Sequence, residues 1–295
     1  MLHCTERVPL VTVVLLNWHN SRDTQACLAQ LARADYPRLR VVVVDNASAD
    51  DSVEQISAAF PEVPLIRSTW NRGFAGGMNL GIKYAAGYGA DYILLLNSDV
   101  TFDPDMLRIL IEDAESHESK ALVSPKIYRD HGSPTFWIYG FRLTRSGFSV
   151  LGEGSEDHGQ FDHLAIDGVY GCALLIPRKI ISEVGLLDER FFFFAEDVDY
   201  CMRVRQAGYS VRIAPRAHLR HAIHGTTRTN SGRRQFMSAR SRMLLFRKHY
   251  RFFNPMLLIL GEVRETLRIM RCSLRYADIR AIIGYLCGLA AGLEN

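Results

Sequence analysis

The feature that most constrains the fold of this chain is an alternation of short apolar runs with helical patterns in its N-terminal half. Four uninterrupted runs of strand length occur, "VTVVLL" (11–16), "VVVV" (41–44), "YILLL" (92–96) and "ALVS" (121–124). Unbroken apolar runs are typical of strands that are covered on both faces. Helical patterns lie between them at 23–33, 51–60, 77–86 and 104–117. The alternation predicts an α/β fold with a doubly wound, mostly parallel sheet.

Polar residues directly follow three of the predicted strands. Asn17 follows the first strand, Asp45 and Asn46 follow the second, and Asn97 and Asp99 follow the run at 92–96. Turn chemistry explains any one of these residues. Because ligands of such sheets bind at the carboxyl ends of the strands, three polar strand ends together indicate a ligand site there.

The glycine pattern excludes two common nucleotide-binding motifs. The first strand runs into "NWHNSR", which is not G-x-G-x-x-G, and the chain contains no G-x-x-x-x-G-K-[ST]. An NAD enzyme or a P-loop kinase is therefore not expected. The glycines cluster instead in "NRGFAGGMNLG" (71–81), where they serve either an anion at a helix N-terminus or a tight turn.

An acidic segment follows an aromatic run in "FFFFAEDVDYCMR" (191–203). One interpretation is a buried strand at 191–194, followed by a helix whose positive N-terminal end favours Glu196 and Asp197. The other is a carboxylate held where water is scarce, so that it can accept a proton. The residues alone leave both interpretations open.

The net charge of +3 hides a cationic stretch, since no acidic residue lies between Asp199 and Glu262 while arginines are frequent there. Such a surface favours an anionic partner, which leaves a nucleotide diphosphate, a nucleic acid or an acidic membrane as candidates beside a solvated arginine-rich face.

The C-terminal segment has the pattern of an amphipathic helix that begins near Pro255. Apolar residues recur at spacings of four and three, and arginines follow one position behind: Met256, Leu260, Val263, Leu267, Met270 and Leu274, then Arg264, Arg268, Arg271 and Arg275. This pattern suits either an anionic membrane surface or packing on the rest of the chain. The last apolar stretch, 281–293, is shorter than the roughly 20 residues needed to span a bilayer. We expect membrane contact to be peripheral at most.

The six cysteines are scattered without a C-x-x-C pair, and the first ten residues carry no long apolar run. Reduced thiols and a cytoplasmic location are therefore expected, with any membrane association at the inner face. The length of 295 residues permits one large domain or two small ones.

Taken in order and spacing, the motifs resemble those of family 2 glycosyltransferases, and more narrowly their bacterial rhamnosyltransferase-like branch. The resemblance covers roughly residues 10–250 and rests on "VTVVLLNWHN", "VVVVDNASADDS", "NRGFAGGMNLGI", "LLLNSDV", "GCALLIPRKIISEVGLLDERFFFFAEDVDYCMRVRQAGY" and "HAIHGTT". It implies a GT-A fold over 1–250, with a C-terminal helical extension at 251–295.

The resemblance also implies a function. It is the inverting, metal-dependent transfer of a sugar from a nucleotide-sugar to a hydroxyl of a cell-surface glycan or lipid-linked acceptor. dTDP-rhamnose and a UDP-hexose are both compatible donors. A non-catalytic nucleotide- or glycan-binding module would be expected to lack Asp197 or Asp99, and both are present. No nucleic-acid partner is expected.

Donor-site roles follow from the resemblance residue by residue. Asp45 matches the residue that contacts the base, and Asn17 lies in the loop beside it. The glycine-rich segment that closes over the nucleotide and sugar is matched by Asn71, Gly73, Gly77 and Asn79. Asp99 matches the last residue of a D-x-D-type motif for Mg²⁺ or Mn²⁺. Asn97 stands at its first acidic position, so the metal has fewer charges to bind.

The remaining roles are also implied by the resemblance. Asp197 matches the catalytic base, and Glu196 and Asp199 either orient the acceptor or pair with arginine. His221, with His224 as the alternate, matches a histidine near the diphosphate and metal. Arg240 and Arg242 resemble an Arg-Asn-Arg segment that contacts the donor, although Ser241 replaces the asparagine. Trp137 and Asp167 are candidates for the acceptor cleft, as is Tyr139.

Overall fold

A nine-stranded sheet organises this computed structural model, which describes residues 7–130, 134–222, 231–275 and 278–294. The strands are β1 (Val11–Asn17), β2 (Leu39–Asp45), β3 (Leu65–Arg67), β4 (Tyr92–Leu96), β5 (Val100–Phe102), β6 (Ala121–Arg129), β7 (Phe136–Ile138), β8 (Gly140–Thr144), β9 (Gly147–Leu151), β10 (Ala173–Pro177) and β11 (Ser210–His221). The helices are α1 (Ser21–Leu31), α2 (Ser52–Ala59), α3 (Gly73–Gly87), α4 (Met106–Ser116), α5 (Arg178–Val184), α6 (Glu196–Gln206), α7 (Ser231–Lys248), α8 (Pro255–Arg275) and α9 (Ile279–Glu294).

The sheet has the order β3-β2-β1-β4-β10-β6-β11-β5, with β7 beside β6 and a separate β8–β9 hairpin. The first four strands are parallel, as the alternation predicts. The sheet as a whole is mixed, because β10 runs antiparallel to both β4 and β6. The chain between β6 and β10 starts and ends at the same edge of the sheet, so β10 must return in the opposite direction.

Both faces of the central strands are covered, which explains their unbroken apolar sequences. On β1, Val13 packs into one buried cluster with residues of α1 and α4, and Val14 packs into the other with Met78 and Ile82 of α3. Burying an aliphatic side chain of this size stabilises the fold by about 1.5–3 kcal/mol. The polar strand ends are thus held on a rigid platform.

The four phenylalanines at 191–194 do not form a strand, which corrects the first interpretation of this segment. They form a loop in which Phe194 and Ala195 both adopt left-handed backbone conformations, with φ of 68° and 63°. Helices bind the carbonyls of this loop: the backbone N–H of Phe74 donates to Phe192 O, and the Ser241 hydroxyl donates to Phe193 O. Two consecutive left-handed residues cost of order 1–3 kcal/mol each and are found where surrounding structure enforces them.

Helix α9 packs closely on α7 through a stripe of glycines. A Cβ atom added at Gly284 would lie 2.0 Å from Gly232 O, and one added at Gly288 would lie 2.3 Å from Phe236 O. Gly292 continues the spacing of four and meets the backbone of Arg240. Since a side chain has no room at these positions, glycine is what lets the two helix backbones approach.

The predicted boundary after residue 250 falls in the connection between α7 and α8, and the division into domains stays a prediction. Within the described part of the chain, no helix combines the length and apolarity needed to cross a membrane.

Candidate active site

β1 and β2 end in a hydrogen-bonded pair of side chains. Their parallel register sets Asn17 opposite Asp45. The Asp45 carboxylate accepts hydrogen bonds from Asn17 Nδ2 at 2.9 Å, and from the backbone N–H and hydroxyl of Ser48 at 3.0 and 2.6 Å. Thr24 donates its hydroxyl to Asn17 Oδ1 and fixes the amide orientation. A carboxylate offers about four acceptor positions, so roughly one remains for a bound group.

The glycine-rich segment is tied to β2 by Asn46, a residue outside the predicted set. Asn46 Nδ2 donates to Asn71 Oδ1 at 3.1 Å and to Gly73 O at 2.9 Å, while Asn46 Oδ1 accepts from Arg72 N. Gly73 has φ of +71°, and an added Cβ would lie 2.1 Å from Phe192 O. The sequence signal that could have identified Asn46 as a site residue is its position directly after Asp45, at the end of a predicted strand.

Gly77 and Asn79 lie on α3 and connect this helix to β1 and to the loop before α6. An added Cβ at Gly77 would lie 2.5 Å from Leu16 Cδ1, so this turn of α3 rests directly on β1. Asn79 Nδ2 donates to Leu187 O at 2.9 Å and to Glu189 Oε1 at 3.0 Å, and Leu187 N donates to Asn79 Oδ1. Asn79 therefore holds the loop that leads to the acidic segment.

Asp99 and His221 come together beyond the end of β4. Pairing of β11 with β5 sets His221 opposite Val100, and His221 Nε2 lies 3.1 Å from Asp99 Oδ1. Both side chains are largely buried, and His221 Nδ1 has no hydrogen-bond partner. Trp137 packs edge-on against the imidazole, with ring centroids 4.6 Å apart.

Asp99 and His221 are the candidate ligands for a divalent cation. The residues that the structure describes contain no group of three or more His, Cys, Asp or Glu side chains placed to bind a metal. A carboxylate oxygen 3.1 Å from the imidazole Nε2 nevertheless fits a divalent cation that takes its other ligands from a substrate diphosphate. His224 lies outside the described residues.

The segment before β10 connects the Asp99–His221 pair to α6. Asn97 N donates to Cys172 O at 2.9 Å, and the adjacent Gly171 N donates to Asp197 Oδ2 at 2.8 Å. Asp197 and the backbone just before Asp99 are therefore bound to the same short segment, although the two aspartates are almost a hundred positions apart in the sequence.

Asp197 is a buried carboxylate in the first turn of α6. Its Oδ2 accepts from Gly171 N, and its Oδ1 accepts from Val198 N at 2.8 Å. Burial raises the pKa of this carboxyl above its usual value, and the N–H groups of Gly171 and Val198 oppose part of that rise. A base whose pKa moves towards the working pH is better suited to accept a proton.

Glu196 and Asp199 differ in protonation behaviour. Glu196 is 6% exposed and its Oε2 has no partner; burial, and then the charge of Asp197, raise its pKa well above the usual range. Burial would also raise the pKa of Asp199, but a hydrogen bond from His249 and the charges of Arg203 and Lys248 outweigh it and lower that pKa. Asp199 thus pairs with arginine, one of the two roles expected for it.

Helix α7 supports the acidic loop on its inner side. Arg240 Nη1 donates to Arg190 O at 3.0 Å, and Ser241 Oγ donates to Phe193 O at 2.8 Å. Arg242 instead donates to both carboxylate oxygens of Glu262 and to the Tyr285 hydroxyl. Residues two apart in a helix do not face the same direction, so the structure brings Arg240 near the site and turns Arg242 towards α8 and α9.

The three acceptor-side candidates are placed differently. Trp137 lies between His221 and Tyr170, and burial followed by the charge of Asp197 raises the pKa of Tyr170. Asp167 is used away from these groups, since it accepts from Leu143 N at 2.7 Å and pairs with Arg205. Tyr139 is buried and donates its hydroxyl to Phe161 O.

Ligands of an open α/β sheet bind at the carboxyl ends of its strands, which is where Asn17, Asp45 and Asp99 lie. The chain belongs to glycosyl transferase family 2, because the model of that family matches residues 12–185. The match confirms the resemblance seen in the motifs.

Several known proteins are similar over most of this chain. The Low-salt glycan biosynthesis hexosyltransferase Agl10 of Haloferax volcanii is 24% identical over 242 residues, covering 79% of this chain and 74% of its own length. An N-acetylglucosaminyl-diphospho-decaprenol L-rhamnosyltransferase of Mycobacterium tuberculosis is 25% identical over 244 residues, covering 74% and 78%. The mannosyltransferase PcManGT of Pyrobaculum calidifontis, solved with GDP-Man and Mn²⁺, has a TM-score of 0.59 at 18% identity, covering 98% of this chain and 76% of that one. This likeness confirms the GT-A type of fold.

Proposed function

We propose that this glycosyltransferase acts by inversion, with Asp197 as the base that accepts the proton of the acceptor hydroxyl. The observation that carries the proposal is the buried carboxylate at the start of α6, oriented by the N–H groups of Gly171 and Val198. In a single displacement, the acceptor oxygen bonds to the anomeric carbon while its proton passes to Asp197. The bond from that carbon to the diphosphate breaks, and the electron pair leaves with the phosphate.

The donor would occupy the carboxyl edge of the sheet. Asp45, with its remaining acceptor position, is suited to an N–H group of the base, and the segment from Asn71 to Gly73 lies against the loop that precedes Asp197. Asp99 and His221 would hold a divalent cation, whose charge stabilises the departing diphosphate. The Mn²⁺ and GDP-Man named for the Pyrobaculum calidifontis enzyme support this assignment.

We place rhamnose from dTDP-rhamnose first among donors, because the Mycobacterium tuberculosis relative is named an L-rhamnosyltransferase. A UDP-hexose is the second candidate, favoured by the hexosyltransferase name of the Haloferax volcanii relative. The acceptor is proposed to be a glycan or lipid-linked saccharide that is presented at the cytoplasmic face of the membrane.

The test is a panel of dTDP-, UDP- and GDP-sugars, with Mn²⁺ or with EDTA, on the wild type and on Asp197→Asn. Binding is measured by thermal shift, since a ligand of the folded state raises the melting temperature, and turnover is measured as release of the nucleoside diphosphate. Asp35→Asn is the matched control, because the Asp35 carboxylate is 72% exposed and precedes β2, at the end of that strand opposite Asp45.

We expect one donor to stabilise both variants in a metal-dependent way, and only the wild type and Asp35→Asn to turn it over. Full turnover by Asp197→Asn would refute the role of Asp197. Binding without turnover by the wild type, with any acceptor supplied, would favour a non-catalytic binding module.

A further inference from the structure

Helix α8 carries an exposed apolar face that nothing in the described chain covers. Most of the large apolar side chains that the described residues expose lie on α8 and α9. We call the α8 set the apolar stripe: its members are between 39% and 72% exposed, and they are Met256, Ile259, Leu260, Val263, Leu267 and Met270. Spacings of three and four place all six along one side of the helix.

The side of α8 that faces the protein is a different one. Ile269 and Ser273 are 4% and 6% exposed, and Glu262 is held by Arg242 and Tyr285. The apolar stripe is therefore additional to the surface that attaches α8 to the rest of the chain.

Next to the apolar stripe runs a line of exposed arginines, which we call the arginine stripe: Arg264, Arg268, Arg271 and Arg275. Glu262 and Glu265 are the acidic residues of α8. Glu262 is paired with Arg242, and Glu265 is paired with Arg268 at 2.5 Å. Within the described chain, no ion pair is formed by Arg264, Arg271 or Arg275, so three cations stand beside the apolar stripe without counter-charges.

The geometry points to a bilayer surface rich in anionic lipid as the occupant of this face. A helix that lies in the interface buries its apolar side among the acyl chains and sets its basic side at the headgroups. At about 1.5 Å per residue, the 21 residues of α8 span roughly 30 Å, which is ample contact for a helix lying in the plane. A second copy of the chain fits less well, because the face offers arginines and no free carboxylates to meet them.

This placement connects the lipid surface on α8 to the loop before Asp197 through a single helix, α7. Arg242 of α7 donates to Glu262 of α8, and α7 binds the 190–193 loop through Arg240 and Ser241. Docking of α8 on the bilayer would thus hold α6, the helix that carries Asp197, at a fixed height above the lipid surface. The docking itself does not depend on the proposed function, although it suits an acceptor carried on a lipid.

The test is flotation of the full chain with phosphatidylcholine vesicles that either contain or lack phosphatidylglycerol. Three variants are compared with the wild type: Val263→Glu with Leu267→Glu in the apolar stripe, Arg264→Gln with Arg271→Gln in the arginine stripe, and Val150→Glu as control. Val150 is 39% exposed on β9 and lies outside α8 and α9, so the control introduces the same change elsewhere. All targeted side chains are exposed, and circular dichroism checks that each variant folds.

We expect the wild type and Val150→Glu to float only with vesicles that contain phosphatidylglycerol. The arginine pair should weaken binding about 25-fold, at roughly fivefold per arginine, and the apolar pair at least about tenfold. Failure of the wild type to float, or equal flotation of all variants, would overturn the proposal. So would a dimer in sedimentation velocity that the apolar pair dissociates while no protein binds vesicles, since a second copy would then be the occupant. Neither result depends on donor turnover.

Discussion

Replacing Asp199 by asparagine should destabilise the fold by about 3 kcal/mol. Asp199 is fully buried and accepts from His249 Nε2 at 2.8 Å, from Lys248 Nζ at 2.7 Å and from Arg203 Nε at 2.9 Å. Removing one charge of a buried network typically costs 3–5 kcal/mol, because the partners are left uncompensated. We take the lower end, since Lys248 keeps Asp188 at 2.7 Å and Arg203 keeps two backbone carbonyls.

The assay is urea denaturation at neutral pH, with Asp35→Asn as the exposed control. In a parallel thermal unfolding experiment, the melting temperature should fall by roughly 6 °C, at about 2 °C per kcal/mol for a domain of this size. A second variant, Asp199→Asn with His249→Gln, should recover about 1 kcal/mol, because it also removes the His249 imidazole, which has no other hydrogen bond among the described residues. A loss below about 1 kcal/mol in the single variant would refute the reasoning.

The pH dependence gives an independent check of the same network. The pKa of Asp199 is lowered in the folded protein, so its contribution is present above the unfolded value of about 3.9 and is lost as the pH falls through the folded value. The difference between wild type and Asp199→Asn should therefore persist at neutral pH and shrink below about pH 4.

Three further predictions concern the site. Glu196→Gln should become more stable relative to the wild type as the pH rises from about 5 to about 8. The pKa of Glu196 is raised in the folded protein, so above the unfolded value of about 4.3 the ionised side chain disfavours folding, and glutamine lacks that charge. Denaturant midpoints across that range test this, and a difference independent of pH would contradict it. Gly73→Ala should lower kcat/KM at least about tenfold, since its φ of +71° and the Phe192 carbonyl 2.1 Å from an added Cβ force the loop before the proposed base Asp197 to move. Unchanged steady-state kinetics would exclude that coupling. His221→Gln should raise the Mn²⁺ concentration for half-maximal turnover about tenfold or more, and an unaltered metal titration would remove His221 from the cation site.

The parallel half of the sheet was predictable from the sequence because its strands are covered on both faces. Val13 and Val14 point to opposite faces of the sheet and are both buried, so the run is apolar throughout and does not alternate with polar residues. Such a run is typical of a strand that is covered on both faces. The same logic fails for the phenylalanines at 191–194. An apolar run indicates burial but not the partner, and here helices α3 and α7 bind the carbonyls that a neighbouring strand would otherwise take.

The polar strand ends were visible because each directly follows an apolar run. The pairing of Asp99 with His221 was not derivable from the residues alone, since it depends on how β11 meets β5. The sequence could have predicted that Arg242 faces away from the site. Arg240 and Arg242 are two residues apart on α7, so they cannot both face one ligand. The glycine spacing at Gly284, Gly288 and Gly292 is also present in the sequence.

The glycine contact between α7 and α9 also sets an order of events during synthesis. α7 leaves the ribosome before α9, while domains generally form from the N-terminal side as the chain emerges. Until α8 and α9 follow, the Arg242 guanidinium lacks Glu262 and Tyr285, and the close-packed side of α7 has no partner. Because α7 also holds the 190–193 loop, the α/β sheet can assemble early, while we expect this loop to reach its final position only after the C-terminal helices have been made.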